Sequence, residues 1–185
     1  MKRKPYRSPY LWAIVAVVAV VAVAWAGRES YQPILTGAKA PDFAAQTLDG
    51  KTVRLADYQG RVVLVSIWAT WCAPCRDEMP SMEALYKDLK DTDFEILAVS
   101  VDAALGQSDD TGNVGGDLGA FVREFGLTFP ILHDADGRIR QTYQTTGVPE
   151  SFVIAKGGTI YKKWTGETEW DLPVNQDFIR RLLQS

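Results

Sequence analysis

The chain has 185 residues and a formal net charge of −3, with 23 acidic residues against 20 basic ones, a length that suits one domain with a sizeable core plus an appendage. Setting aside Lys2, Arg3, Lys4 and Arg7 leaves 16 basic residues against 23 acidic ones, so residues 11–185 carry −7. With no basic patch and no aromatic–basic interleaving, nucleic acid is not an expected partner.

Residues 1–10 form a basic segment, and an uncharged stretch rich in Val, Ala, Leu and Ile runs from Ser8 to Gly27. Two readings of that stretch stand. Ala24-Trp25-Ala26 fits the small-x-small pattern before a signal-peptide cleavage point. An uncleaved signal-anchor over 11–26 is the preferred reading, because about 17 apolar residues at about 1.5 Å each approach the hydrocarbon thickness. Trp12 and Trp25 are placed like interfacial aromatics. In either case the positive-inside rule puts the N-terminus in the cytoplasm and everything after Arg28 outside it, where disulfides form. No cysteine lies near the end of the run, so lipoprotein processing is excluded.

Residues 27–39, with Gly27, Pro33 and Gly37, read as a linker, and 40–185 as the folded domain. Phe43 to Thr47 and Thr52 to Leu55 read as strands around the turn dipeptide Asp49-Gly50. The apolar run Val62–Trp68 reads as a buried strand. It leads into Trp71-Cys72-Ala73-Pro74-Cys75, which holds the only two cysteines of the chain. A disulfide closing about four residues removes little chain entropy, so the pair is kept for reactivity. A helix starting after Cys72 sets that sulfur against unpaired backbone N–H groups and the positive end of the helix dipole, which favour the attacking thiolate. Structural zinc usually takes four ligands, and two cysteines and one distant histidine do not supply them, which leaves two-thiolate copper(I) as the metal alternative. A peroxiredoxin nucleophile would need Pro and Thr or Ser where Val65 and Ala69 stand.

The following helix carries Met79, Met82, Leu85, Tyr86 and Leu89 on one face, with Pro80 expected to kink it. At about 100° per residue, Glu78 lies about 60° from Cys75 and about 40° from Met82, at the edge of the buried side, while Asp77 points nearly opposite Cys75. Burial there would raise its pKa and suit it to accept a proton from Cys75. The alternative is an exposed Glu78 paired with Arg76 or Lys87.

Farther along, Phe94–Val101 reads as a second central strand, Leu118–Phe125 as a helix, and Pro130–Leu132 as a strand. The Gly- and Asp-rich residues 107–117 read as a solvated, mobile insertion. Counted from Asp109 the twelfth position is Ala120, so the bidentate Glu of an EF-hand is missing. His133, the one histidine, is expected at the surface. Ser151–Ile154 and Thr159–Trp164 flank Gly157-Gly158 as a hairpin, and Phe178, Ile179, Leu182 and Leu183 mark a closing helix. The order predicts an α/β fold, a central mixed β-sheet flanked by helices.

Trp68-Ala69-Thr70-Trp71-Cys72-Ala73-Pro74-Cys75, followed by Glu78 and Pro80 and later by Gly147-Val148-Pro149 before a strand, resembles the TlpA/ResA group of membrane-anchored, thioredoxin-like thiol-disulfide oxidoreductases. The resemblance covers about residues 38–185. It implies a thioredoxin-like fold with an N-terminal β-hairpin addition, and a cis Val148-Pro149 bond facing the dithiol. Cys72, Cys75 and Glu78 would be the catalytic residues, and Trp71, Pro74, Val148 and Pro149 would meet the substrate. It further implies disulfide-containing protein substrates, a membrane thiol electron donor, and no metal or other cofactor. The catalytic domain would lie outside the bacterial cytoplasmic membrane, in the periplasm where there is one. Ala73 and Pro74 bring no side-chain donor to a thiolate, which makes the couple a reducing one. Cytochrome c maturation is one expected setting, although Pro149 follows Val148 directly, unlike the spacing common in that branch. A copper-binding module for oxidase assembly is the alternative.

Overall fold

The two longest apolar runs of the domain become its centre. In this computed structural model, which describes residues 9–26 and 34–185, β3 (Val62–Trp68) and β4 (Phe94–Ser100) are buried at every position. They pair in parallel from Val62 with Phe94 to Trp68 with Ser100. Strands covered on both faces have no reason to alternate, and these do not. Around them, β1 (Ala44–Thr47), β2 (Thr52–Arg54), β5 (Ile131–His133), β6 (Glu150–Ile154) and β7 (Ile160–Thr165) complete a seven-stranded sheet in the order β2-β1-β5-β4-β3-β6-β7. β4 and β5 are also parallel, and the other neighbours antiparallel. The fold is the expected α/β arrangement of a mixed sheet with helices, and the β1–β2 hairpin turns where Gly50 takes φ +83°.

The helices of the domain are α2 (Ala73–Leu89), α3 (Leu118–Phe125), α4 (Arg138–Thr142) and α5 (Pro173–Leu183). Cys75, Met79, Met82, Leu85 and Leu89 of α2 are all buried, each large apolar side chain contributing roughly 1.5–3 kcal/mol. α5 buries Ile179 and Leu182. The short α4 escapes sequence reading because Ile139 is its only apolar residue; its first turn is held instead by the Asp134 carboxylate, which accepts from Ile139 N at 3.0 Å and Arg140 N at 2.8 Å. Leu55 does not extend β2 but starts a 3-10 turn through Tyr58.

The N-terminal part divides from the domain between Pro33 and Ile34. Within it, α1 (Pro9–Ala26) is an uncharged helix of 18 residues. Eighteen residues rise about 27 Å, just under a hydrocarbon core of about 30 Å, and among the described residues no helix is long and apolar enough to cross a membrane. Residues 1–8 of the basic segment and residues 27–33 of the linker lie outside the described residues.

One sequence expectation is filled in and another changes. Residues 107–117 are mostly exposed, as expected, and are closed by internal hydrogen bonds: Gly106 N to Gly115 O at 3.0 Å, Gly115 N to Gln107 O at 2.8 Å, and Thr111 N and Asn113 N to Asp109 Oδ1 at 2.9 and 2.8 Å. The Asp109 side chain holds the turn. His133 is half-buried, with Nε2 2.9 Å from the Asp102 carbonyl oxygen, because β5 ends beside β4. A Cβ added at Gly115 would lie 2.0 Å from Ala103 O. Gly115→Ala therefore lowers stability by about 1–3 kcal/mol, read as a lower midpoint in thermal or urea unfolding; an unchanged midpoint would show that this loop gives way freely.

Candidate active site

Where β3 runs out, Ala69, Thr70 and Trp71 carry the chain to Cys72, the N-cap residue of α2. The loop is fastened by Asp102, just past β4, whose fully buried carboxylate accepts from Thr70 N at 2.9 Å, Thr70 Oγ1 at 2.5 Å and Ser100 Oγ at 2.7 Å. The same carboxylate takes Gly116 N at 3.2 Å, and a Cβ at Gly116 would sit 2.3 Å from Thr70 Oγ1. The insertion thus abuts the loop that presents the cysteines.

Cys72 and Cys75 form a disulfide with Cα atoms 5.3 Å apart. Cys72 Sγ also accepts from Cys75 N at 3.2 Å, so it occupies the capping position at the positive end of the helix. The two sulfurs differ in access, Cys72 being 5% exposed and Cys75 fully buried. Beside them Pro74 is exposed and Trp71 is 37% exposed. Val148 is half-buried and Pro149 buried, and the bond between them is cis. Glu150 pairs with Ile67, so Pro149 stands at the end of the sheet from which the cysteine loop leaves.

Glu78 is 2% exposed. Its Oε1 accepts from Trp170 Nε1, while Oε2 is buried without a hydrogen-bond partner. Neither proposed surface cation reaches it: Arg76 pairs with Glu124 at 2.6 Å and lies over Phe121 and Phe125, and Lys87 pairs with Glu83 at 3.1 Å. Burial pushes the Glu78 carboxyl up to about 7; the Trp170 hydrogen bond opposes this and the Glu167 charge adds to it.

Three residues in and around this site escape sequence reading. Trp170 follows the polar run Glu167-Thr168-Glu169, which shows no period. Asp102 is signalled only as an acid directly after a buried strand. Glu150, 1% exposed, follows Pro149 at once; it receives Thr146 Oγ1 at 3.2 Å and forms an ion pair with Lys163 Nζ at 2.9 Å.

The AhpC/TSA family pattern matches residues 36–163. The chain belongs to the AhpC/TSA family. Within that family it is similar to the thiol-disulfide oxidoreductase ResA of Oceanobacillus iheyensis, 35% identical over 159 residues that span 84% of this chain and 77% of that one. ResA of Geobacillus thermodenitrificans is 38% identical over 133 residues, 72% and 71% of the two chains. A solved structure from Chlorobium tepidum described as a thiol:disulfide interchange protein DsbE aligns with a TM-score of 0.65 and 30% identity over 82% of this chain and 96% of that one. This AhpC/TSA member is a thioredoxin-like thiol-disulfide oxidoreductase.

A carboxyl raised to about 7 from 4.5 holds a proton that the unfolded chain has lost. The stabilisation that Glu78 contributes is therefore fully present below pH 4.5 and drains away as pH rises to about 7, a difference on the order of 3 kcal/mol. Glu78→Gln removes that slope: measured by urea unfolding of the oxidised protein, the variant gains on the wild type by about that amount between pH 4 and pH 8. Parallel pH curves for the two proteins would place the charge in water.

Proposed function

We propose that the protein reduces disulfides in partner proteins outside the cytoplasmic membrane, with Cys72 as attacking thiol, Cys75 as resolving thiol and Glu78 as the proton acceptor for Cys75. The observation that carries this is the unequal access of two sulfurs within one helical turn, the first capping α2 and the second sealed beneath it. In the reduced state the Cys72 thiolate attacks one sulfur of a client disulfide, forming a mixed disulfide and expelling the client's other thiolate. Glu78 takes the proton of Cys75, whose thiolate attacks Cys72 Sγ; the second client sulfur leaves, and the Cys72–Cys75 disulfide of this structure results. Two electrons pass to the client. A membrane thiol carrier then restores the dithiol.

Trp71, Pro74, Val148 and Pro149 form the surface met by the client. The reducing direction is supported by Ala73 and Pro74, which add no donor beyond the helix end to hold a thiolate. The resemblance of the Trp68–Cys75 and Gly147–Pro149 motifs to the TlpA/ResA group favours a client in cytochrome c assembly, an apoprotein whose haem-binding cysteines must be reduced.

With Cys75→Ser the mixed disulfide on Cys72 has no resolving thiol and accumulates, and mass spectrometry of the adducts names the clients. Adducts lacking apocytochrome c would remove that client; an absence of any adduct, together with tight copper(I) binding by the wild type, would replace the reductase by a copper module. The uncharged 11–26 segment is proposed as a retained membrane anchor that keeps the domain at the cell surface side of the bilayer. The mature protein then stays with membranes through a high-salt wash, and a mature N-terminus at Gly27 in peptide mapping would show cleavage instead.

A further inference from the structure

A buried carboxyl that exchanges protons with a thiol has to offer one particular oxygen, because its two oxygens are equivalent until something distinguishes them. In Glu78 the distinction comes from residues 166–172. Gly166, at φ +87°, opens this segment by donating its N–H to Pro149 O at 2.9 Å. The segment then reaches α2, where Trp170 N donates to Ser81 Oγ at 3.0 Å and Ser81 Oγ donates to the Glu78 carbonyl oxygen at 2.8 Å. The Trp170 ring is fully buried and packs edge-on against Trp164 at 5.2 Å, which in turn meets Phe178 of α5 at 5.3 Å. From this fixed position the indole N–H donates to Glu78 Oε1.

We propose that Trp170 is a positioning residue that occupies Glu78 Oε1 and leaves Oε2 as the oxygen that takes the proton from Cys75. An indole N–H only donates, so it neither competes for the proton nor accepts one. The hydroxyl oxygen of a carboxylic acid is a weaker acceptor than its carbonyl oxygen. Keeping the Trp170 bond on Oε1 therefore sends the proton to Oε2, the oxygen buried without a partner. In the step itself the Cys75 S–H bond breaks and an O–H bond forms at Oε2; a thiolate and a neutral carboxyl replace a thiol and a carboxylate. The inference rests on Glu78 being the proton acceptor.

The charges around Glu78 leave this role to the indole. Glu167, on the same segment, opposes ionisation. Arg76 and Lys87 on α2 are committed to Glu124 and Glu83, Asp77 is exposed, and Glu150 and Lys163 on β6 and β7 pair with each other. Because the Trp170 bond favours the carboxylate, its removal moves the titration up, not down.

The test follows single-turnover reduction of a disulfide peptide by the reduced full-length protein from pH 5 to 9 in wild type, Trp170→Phe, Glu78→Gln and the double variant. Trp170→Phe keeps ring bulk and loses the donor. Its pH inflection is expected to rise by about one unit and its rate at neutral pH to fall about three- to tenfold. Glu78→Gln removes the Glu78 inflection and leaves that of the Cys72 thiol, and the double variant matches Glu78→Gln. A wild-type profile in Trp170→Phe, or a further loss when it is added to Glu78→Gln, overturns the positioning role. A wild-type profile in Glu78→Gln overturns the underlying assignment of Glu78. If Trp170→Phe unfolds, benzothienylalanine at position 170, which keeps the indole shape without the N–H, is put through the same series. The carboxyl stretch of Glu78, isolated as the infrared difference from Glu78→Gln in the oxidised protein, gives the titration without turnover and is expected to move in the same direction.

Discussion

The two sulfurs differ in burial, Cys72 at 5% and Cys75 at 0% exposed, and that difference depends on how tightly the first turns of α2 lie on the sheet. Cys75, Met79 and Met82 of α2 are all at most 1% exposed. The same packing that hides Cys75 carries Glu78 below the surface with it, since the two are neighbours one turn apart on the helix. The loop ahead of Cys72 cannot drift away, because Asp102 holds Thr70 by both backbone and side chain. Access at Cys72 is what remains when everything behind it has been closed.

The buried acids of the domain are held in different ways, and the difference marks out the site. Glu83 accepts from Thr128 N and Oγ1 and pairs with Lys87; Glu95 pairs with Arg61 at 3.2 Å. Asp102 and Asp134 take backbone N–H groups, and Glu150 takes Lys163. Each has a cation or an amide dipole to offset the cost of burying charge. Glu78 has a neutral indole on one oxygen and nothing on the other. A fold that satisfies its other buried acids in this way leaves this one poised between two protonation states.

Much of this was legible in the sequence where the deciding force is local or periodic. Val62–Trp68 and Leu118–Phe125 are found at the bounds their residue patterns mark, and the angular position of Glu78 on its helix correctly sets it on the buried side. What sequence could not supply is partnership across the chain. Trp170 meets Glu78 from 92 residues away, and no period or spacing encodes that contact. His133 looked like a surface residue for the same reason, its partner being a backbone carbonyl on the neighbouring strand's extension. The insertion is solvated as its composition suggests, but the hydrogen bonds from Thr111 N and Asn113 N to Asp109 that close it could not be assigned from composition, since Asp and Gly serve both solvation and tight turns.

The bond from Gly166 N to Pro149 O bears on how choosy the protein can be. A proline has no N–H to offer, and here one lone pair of its carbonyl is already committed within the fold. Under the proposed reading, a polypeptide passing over the cysteines would find a Pro149 carbonyl already partly committed to the fold, and Trp71, 37% exposed beside Cys72, would be left to tell one passing chain from another.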